Sequence, residues 1–425
     1  MPATATEPRL RIAILCDDYY PESGGLARSV QLQVTQLAQA GHEVVLMAPA
    51  DRLVPAPEAT CLGLPHLQLP GGADYLNSLR PSPSLARRIA EQYPVDVVHT
   101  QTERGALHLG AVIARALGVP HVHTFHSNYV GGHETSAAGS ALLSLTYLPW
   151  ASHLLRVFSK RPPLTTTVKL RDPQDSVHAD RDWASLAKIA AQVDGFTSPA
   201  PFMVDSITAA AGGALAGRGR VVPGGVPDVF AQVERHRPVG PTTRFLSCSR
   251  LSPEKRVGNI IDAFALLDDP DAELHIVGGG TESEVGRLRR HAESVRNGTV
   301  RFLGHYTDSK QIAQEFADSD VFVLASHRFD TQGLVLADAA AAGTPILYCD
   351  ERLTVGTGPD NSLLVDPTPA GLAEGMRALA ADPDRRARMS SAAREWRPLL
   401  SPQTMRDRYV QLYRDAIAAG PALAA

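Results

Sequence analysis

"DVFVLASHRFDTQGLVLADAAAAGTPILYCD", residues 320–350, decides the fold. It opens on a short β-branched run, DVFVLAS, and passes through the polar loop HRFDTQG into LVLADAAAA. Gly343 and Pro345 stop that segment before PILYCD begins. Strand, helix and strand at this spacing make a βαβ crossover, whose strands pair in parallel. The strand runs are apolar throughout instead of alternating, as expected of strands covered on both faces. The helix is apolar on every side too, apart from one acid, Asp338. Burying an unpaired carboxylate costs several kcal/mol. Asp338 therefore faces either a neighbouring Arg, in a structural pair, or the hydroxyls of a ligand.

Outward from this stretch the same alternation fills the second half of the chain. RFLSCSR, AELHIVGGG and VRFLG read as strands, with VGNIIDAFALL and ESEVGRLRRHAESV as helices between them. The first half repeats the pattern with RIAILCD, EVVLMAP, VDVVHT and PHVHTFH, separated by helical runs that end at Gly. The expected fold class is α/β: two Rossmann-like, doubly wound domains facing across a cleft. The boundaries expected are 1–230 for the first, acceptor-binding domain and 231–243 for a loose linker. A second, donor-binding domain then covers 244–403. An amphipathic helix within 404–425 crosses back to the first domain. About 131–190 breaks the pattern. There ALLSLTYLPWASHLLRVF and a basic loop read as a helical excursion, an acceptor wall or a membrane-surface helix.

Composition excludes several classes. With 425 residues, 44% hydrophobic and 20% charged, the chain is of ordinary globular make-up. A net charge of −4 gives no global reason to expect nucleic acid. No run of about 18 apolar residues is present to span a bilayer. Four cysteines without CxxC or Cys/His spacing point to thiols of a reducing cytoplasm, with peripheral membrane association as the alternative.

The chemistry-bearing residues fall at strand ends. Arg250 and Lys255 in SRLSPEKR follow a strand directly. There a guanidinium fork and a mobile ammonium can share one diphosphate; elsewhere such a pair is an ordinary surface turn. The helix that starts near Gly333 aims free N–H groups and a positive dipole end at the same edge, where Asp330 also stands. Phosphates for the cations and hydroxyls for the acids describe a nucleoside diphosphate-sugar. Gly24-Gly25 after the first strand lets backbone approach a phosphate, although a tight turn explains it as well. His123 and His126 end the fourth strand, three apart and so on opposite faces, which leaves one for the site. Gly278–Gly280 lacks the dinucleotide fingerprint, GxSxG, HExxH and P-loop motifs are absent, and ADSD (317–320) reads as helix caps before a metal site.

Together these stretches resemble the retaining nucleotide-sugar glycosyltransferases of family 4, which have the GT-B fold. The resemblance runs along nearly the whole chain. It is strongest in SCSRLSPEKRVGNIIDAFALL, VRFLGHYTDSKQIAQEFADSDVFVLAS and DTQGLVLADAAAAGTP. It implies that Arg250 and Lys255 neutralise the leaving diphosphate. Asp330 and Asp338 take the places of the two acids of the E-x7-E signature, the first near the transferred sugar and the second on the ribose. Thr331, Gln332, Gly333 and Leu334 form the loop touching sugar and phosphate, Gly25 beside Gly24 faces the diphosphate, and His126 is the histidine near the sugar. His305 and Tyr306 in FLGHY border the base. Both signature glutamates are shortened to aspartate, and Gly224 replaces the Asn of a P-N-G-V-D stretch.

The reaction so implied moves a hexose from a UDP- or GDP-sugar by a same-face, metal-independent route without a further cofactor. The wording DTQG and HTFHSNY is similar to the branch that includes diacylglycerol glucosyltransferases, which makes a lipid acceptor the alternative. The acidic balance favours a small soluble acceptor instead. A sugar-nucleotide epimerase and a non-catalytic sugar-nucleotide-binding protein are the rival classes.

Overall fold

The computed structural model describes residues 8–19, 24–51, 53–69, 76–134, 137–238 and 240–421. The chain forms two compact units, Met1–Gly225 with Met405–Ala425, and Val226–Thr404.

In the first unit the strands are β1 (Arg11–Leu15), β2 (Glu43–Pro49), β3 (Thr60–Leu64), β4 (His66–Leu69), β5 (Leu76–Leu79), β6 (Val97–Thr100), β7 (His121–Thr124), β8 (Gly195–Ser198) and β9 (Gly219–Val221). The order β3-β2-β1-β6-β7-β8-β9 builds one parallel sheet, and β4 and β5 pair apart as an antiparallel hairpin. Both faces are covered, which is why these strands read as continuous apolar runs. Ile12 and Ile14 pack with Val34 and Leu37 on one side, Ala13 and Leu15 with Leu109 and Ile113 on the other.

The C-terminal helix, Pro402–Ala419, completes the first of these cores. Met405, Tyr409, Leu412, Tyr413 and Ala416 lie at helical spacing and are all buried against Ile12, Val34 and their neighbours. The excursion within 131–190 is part helix and part loop, with 160–178 outside any helix. Its apolar run is two helices, Ala137–Leu145 and Tyr147–Ser159, followed by the helix Ala179–Ala191.

The second unit holds β10 (Thr243–Cys248), β11 (Ala272–Val277), β12 (Thr299–Gly304), β13 (Val321–Leu324), β14 (Ile346–Tyr348) and β15 (Ser362–Leu364). All pair in parallel in the order β12-β11-β10-β13-β14-β15. The winding reverses between β10 and β13. In open α/β sheets ligands bind outside the carboxyl ends of the strands at such a point.

The segment expected as a loose linker is seated on this unit from Val226 onward. Val226 N–H donates to the Leu400 carbonyl at 2.8 Å. Phe230 is buried against Phe316. Arg235 and Arg237 both bond Asp320, at 2.7 and 2.6 Å, and the His236 and Arg237 N–H groups donate to Asp318. Burial alone would raise both acids, but the Arg244 N–H on Asp320 at 2.8 Å, together with these donors, holds them below the ordinary carboxylate value. The acids of ADSD are thus anchors for the incoming chain.

Two local devices shape the strand ends. Gly278 has φ 151°, and a Cβ there would lie 1.8 Å from the Ser249 carbonyl; at Gly280 it would lie 2.5 Å from that of Leu251. The glycine triplet therefore lets the exit of β11 lie against the exit of β10, where Leu251 N–H bonds Gly279 O at 2.7 Å. In the first unit Asp17 is fully buried. Its carboxylate accepts the N–H groups of Leu79 (2.7 Å) and Ala106 and the hydroxyl of Thr102 (2.7 Å).

Gly278→Ala should destabilise the protein by about 2–4 kcal/mol through that backbone clash, read as a lower urea midpoint. Burial holds the Asp17 pKa up at about 6, against the pull of Arg104 and the three donors. The folded state then binds a proton that the unfolded state releases between roughly pH 4 and 6, so Asp17 contributes less stability as pH rises. Asp17→Asn should change the stability difference from the parent by up to about 3 kcal/mol across that window, in favour of the variant as pH rises. A constant difference would contradict a buried, ionising Asp17.

Candidate functional site

At the reversal point of the second unit, a short 3-10 turn, Pro253–Lys255, carries Lys255 out of β10, and the loop after β13 carries Asp330. The two form a direct ion pair, each side chain 12% exposed. The ammonium also lies 5.7 Å from the centre of the Phe329 ring. A charge pair this far from water is held by mutual compensation, and removing one partner leaves the other without it. Arg250 stands apart from that pair. Its side chain is 64% exposed and reaches Glu254 at 3.3 Å, while Glu254 accepts the Ser252 hydroxyl at 2.6 Å. The expected pairing of Arg250 and Lys255 on one anion is therefore not preformed.

Next to Asp330, Thr331 and the buried Gln332 lead to Gly333, whose φ of 66° starts the helix Leu334–Ala342. No side chain caps that helix, and its first turn carries no acid; the Leu336 N–H donates to the Gly333 carbonyl at 2.8 Å, and a helix start of this kind is where anions bind. Two residues before Asp330, Arg328 takes a left-handed φ of 57°, and its N–H donates to Asp350 in the loop after β14 at 2.6 Å. Asp338 lies in the second turn, 1% exposed, on a helix otherwise packed with alanine and leucine against Phe322 and Leu353. A ligand from solvent reaches it only after the side chains over it move. On the neighbouring strand exits, His305 is exposed with its Cβ against Gly279, and the Tyr306 phenol is raised by burial and by Glu315.

In the first unit the reversal point lies between β1 and β6. Gly24, φ 77°, precedes Gly25 at the start of the helix Gly25–Gln39, which again has no side-chain cap. β7 ends at Thr124, so His126 lies beyond the strand and the alternation argument does not reach it. The structure separates the two histidines by burial. His123 is fully buried beside Thr100, with Nδ1 2.8 Å from its hydroxyl. His126 is partly exposed, and its Nε2 lies 2.7 Å from Gln101 Oε1. Burial, with His123 adding to it, pushes the His126 imidazole down to about 3, so the ring is neutral at ordinary pH.

Sequence reasoning missed the polar residues around this point. Arg104 pairs with Asp18 and donates to the Asn77 carbonyl at 2.9 Å. Glu103 is buried and accepts the Tyr129 hydroxyl at 3.3 Å, and its backbone carbonyl accepts that of Tyr147 at 3.0 Å. The available signal was polar residues placed just after strands, in CDD (16–18) and QTER (101–104). Among the described residues no group of three or more His, Cys, Asp or Glu is placed to hold a metal ion.

Comparison with known proteins agrees with this fold. The family model "Glycosyl transferases group 1" matches residues 230–396, and "Glycosyltransferase Family 4" matches residues 23–229. An alpha-monoglucosyldiacylglycerol synthase of Streptococcus pneumoniae is 26% identical over 354 residues, covering 80% of this chain and 70% of that one. A glycogen synthase of Mycobacterium tuberculosis is 27% identical over 417 residues, covering 91% and 90%. Among solved structures, Anabaena Alr3699/HepE in complex with UDP superposes with a TM-score of 0.68 at 18% identity, covering 96% and 100%, a likeness of fold. The two family models meet at the boundary between the two wound sheets and leave little of the chain outside them: it belongs to the nucleotide-sugar-dependent glycosyltransferases of family 4, with the GT-B fold.

Proposed function

We propose that this transferase moves a hexosyl group from a nucleoside diphosphate-hexose with retention of anomeric configuration, without a divalent ion. The observation that carries the reading is the Lys255–Asp330 pair at the winding reversal of the second unit, beside an uncapped helix start. When the donor diphosphate arrives, its phosphate oxygens replace Asp330 as the partner of Lys255. Asp330 is then released toward the sugar hydroxyls. Arg250 leaves Glu254 to join the same phosphate as a fork. Charge that builds on the leaving oxygens meets two cations and the N–H groups after Gly333. Such preorganised donors are worth about 3 kcal/mol each when removed. The departing phosphate accepts the acceptor's proton on the face it leaves. Asp338 meets the ribose hydroxyls once the side chains above it shift. His126 takes the role that the resemblance gives it, next to the transferred sugar. UDP is the first nucleotide to test, because a structural relative was solved with it.

For the acceptor, the charge balance favours a small soluble molecule, but one surface supports an amphiphile. Leu142, Leu143 and Leu145 on the helix Ala137–Leu145 and Trp150 on the helix Tyr147–Ser159 are exposed, Leu142 by 61% and Trp150 by 55%. Beside them runs a groove of about 560 Å³ lined by His153, Arg156, Arg181 and Lys188, with no acid among its walls. Exposed Leu and Trp next to unopposed cations suit a surface of anionic lipid. The diacylglycerol-glycosylating relative points the same way. No described helix is long and apolar enough to cross a membrane, so attachment would be peripheral.

Lys255→Ala should lower kcat by about a hundredfold or more while the Kd for UDP rises far less; equal losses in both would remove the leaving-group role. Asp338→Asn should weaken UDP binding, measured by melting shift, more than it weakens 2′-deoxy-UDP binding. With radiolabelled UDP-hexose, label is expected in the organic phase when vesicles carry diacylglycerol. Label found only on water-soluble acceptors would restore the small-molecule reading, and epimerised donor without acceptor would place the protein in another class.

A further inference from the structure

Behind His126 a line of side-chain hydrogen bonds crosses the first unit to the C-terminal helix. The Gln33 amide nitrogen donates to the Tyr413 hydroxyl at 2.8 Å. That orientation leaves the Gln33 carbonyl oxygen to accept the Gln101 amide nitrogen at 2.9 Å. It also turns the Gln101 carbonyl oxygen toward His126 Nε2 at 2.7 Å. Each amide has one donating and one accepting end, so the orientations of Gln33 and Gln101 go together. Tyr413 is itself pinned. Its hydroxyl lies 2.7 Å from His99 Nδ1, and His99 Nε2 lies 2.7 Å from the Thr124 hydroxyl. Gln33, His99, Gln101, Thr124 and Tyr413 are all buried, so water is not there to substitute for a broken link.

We infer that Gln101 is a positioning residue for the transfer reaction: by accepting the Nε2 proton of His126 it holds that ring in a single tautomer and orientation, with Nδ1 as its hydrogen-bond-accepting nitrogen. A carbonyl oxygen can only accept, so the proton must sit on Nε2. In a neutral ring so held Nδ1 carries no proton, so it accepts a hydrogen bond and does not donate one. The line of contacts continues from Gln101 through Gln33 to Tyr413, nearly three hundred residues away along the chain. This rests on the proposed place of His126 near the transferred sugar. The titratable groups that bear on His126 are His123 and His99. His99 is pushed well below its ordinary value by burial, so it adds no charge at working pH.

Two measurements on the full chain test this. Nitrogen-15 spectra of histidine-labelled protein should show His126 as one neutral tautomer protonated at Nε2 from pH 5 to 8. A ring protonated at Nδ1, or a mixture, overturns the assignment whatever the activity. Gln101→Leu should give a tautomer mixture and a kcat about ten- to a hundredfold lower, with the donor KM changed less than about threefold. Gln101→Glu keeps an acceptor at the same place but adds a charge that raises the imidazole. Its kcat should recover part of the loss at high pH and gain an inflection between pH 5 and 8 that the parent lacks. A purely structural Gln101 would lower melting temperature and activity together, with tautomer and pH profile unmoved. If transfer itself is never observed, the proposed function falls while the spectra still decide the tautomer. If transfer proceeds and Gln101→Leu leaves kcat unchanged, the positioning role alone is lost.

Discussion

The ion pair between Lys255 and Asp330 ties the second unit's sheet to its chemistry. Two loops leave two neighbouring parallel strands, β10 and β13, and turn away from each other, one toward each face of the sheet. The gap between them would be an unfilled seam. Here it is closed by opposite charges that are nearly shut off from solvent. Charges so placed are worth little as a brace, because desolvation cancels most of their attraction. They are better understood as a site held in waiting, in which the ammonium is already stripped of water and its counter-ion can be exchanged for another. The glycine triplet at 278–280 and the helix after Gly333 serve the same seam, one by close backbone approach and the other by a start that no side chain caps.

The first unit meets the same topological constraint by other means. Its reversal point is filled by buried polar side chains, with Asp17 stitching β5, the start of the helix Gly105–Leu117 and Thr102 together. Gly105 is required there, since a Cβ would fall 1.8 Å from the Leu79 carbonyl. Around it Asp18 pairs with Arg104, Glu103 with Tyr129, and Gln101 with His126, while Glu103 Oε1 stays buried without a hydrogen bond. A sheet covered by apolar side chains on both faces is thus crossed at one end by a polar layer, and that layer determines how His126 is held.

Much of this architecture was legible in the residues. EVVLMAP is β2 as written, and VGNIIDAFALL is the helix Val257–Leu267, because doubly covered strands and amphipathic helices leave strong local patterns. The short strands β9 and β15, three residues each, left none. The division of ALLSLTYLPWASHLLRVF into two helices at Thr146 did leave a trace, Pro149 in the first turn of the second helix, which a reading by hydrophobic run alone passes over. The segment 231–243 looked loose because its anchors, Asp318 and Asp320, lie some eighty residues away. Asp330 beside Lys255 was expected as two separate ligands of one donor, but their mutual neutralisation is a tertiary fact without a sequence trace. The network from Tyr413 to His126 is of the same kind: glutamines carry no motif, and only the packing shows that their ends must alternate.

The helix Pro402–Ala419 has a consequence for how the molecule comes into being. Its buried face is part of the core built on Ile12, Ile14 and Val34, so residues near the start of the chain wait for those near the end. A ribosome delivers the first sheet long before that helix, and until it docks the apolar groove meant for Tyr409 and Tyr413 stays open to solvent. The second unit lies between them in sequence and can close on itself meanwhile. The nascent first unit is therefore the vulnerable partner during synthesis, exposed to aggregation or chaperone capture for the whole time that Val226–Thr404 is being made.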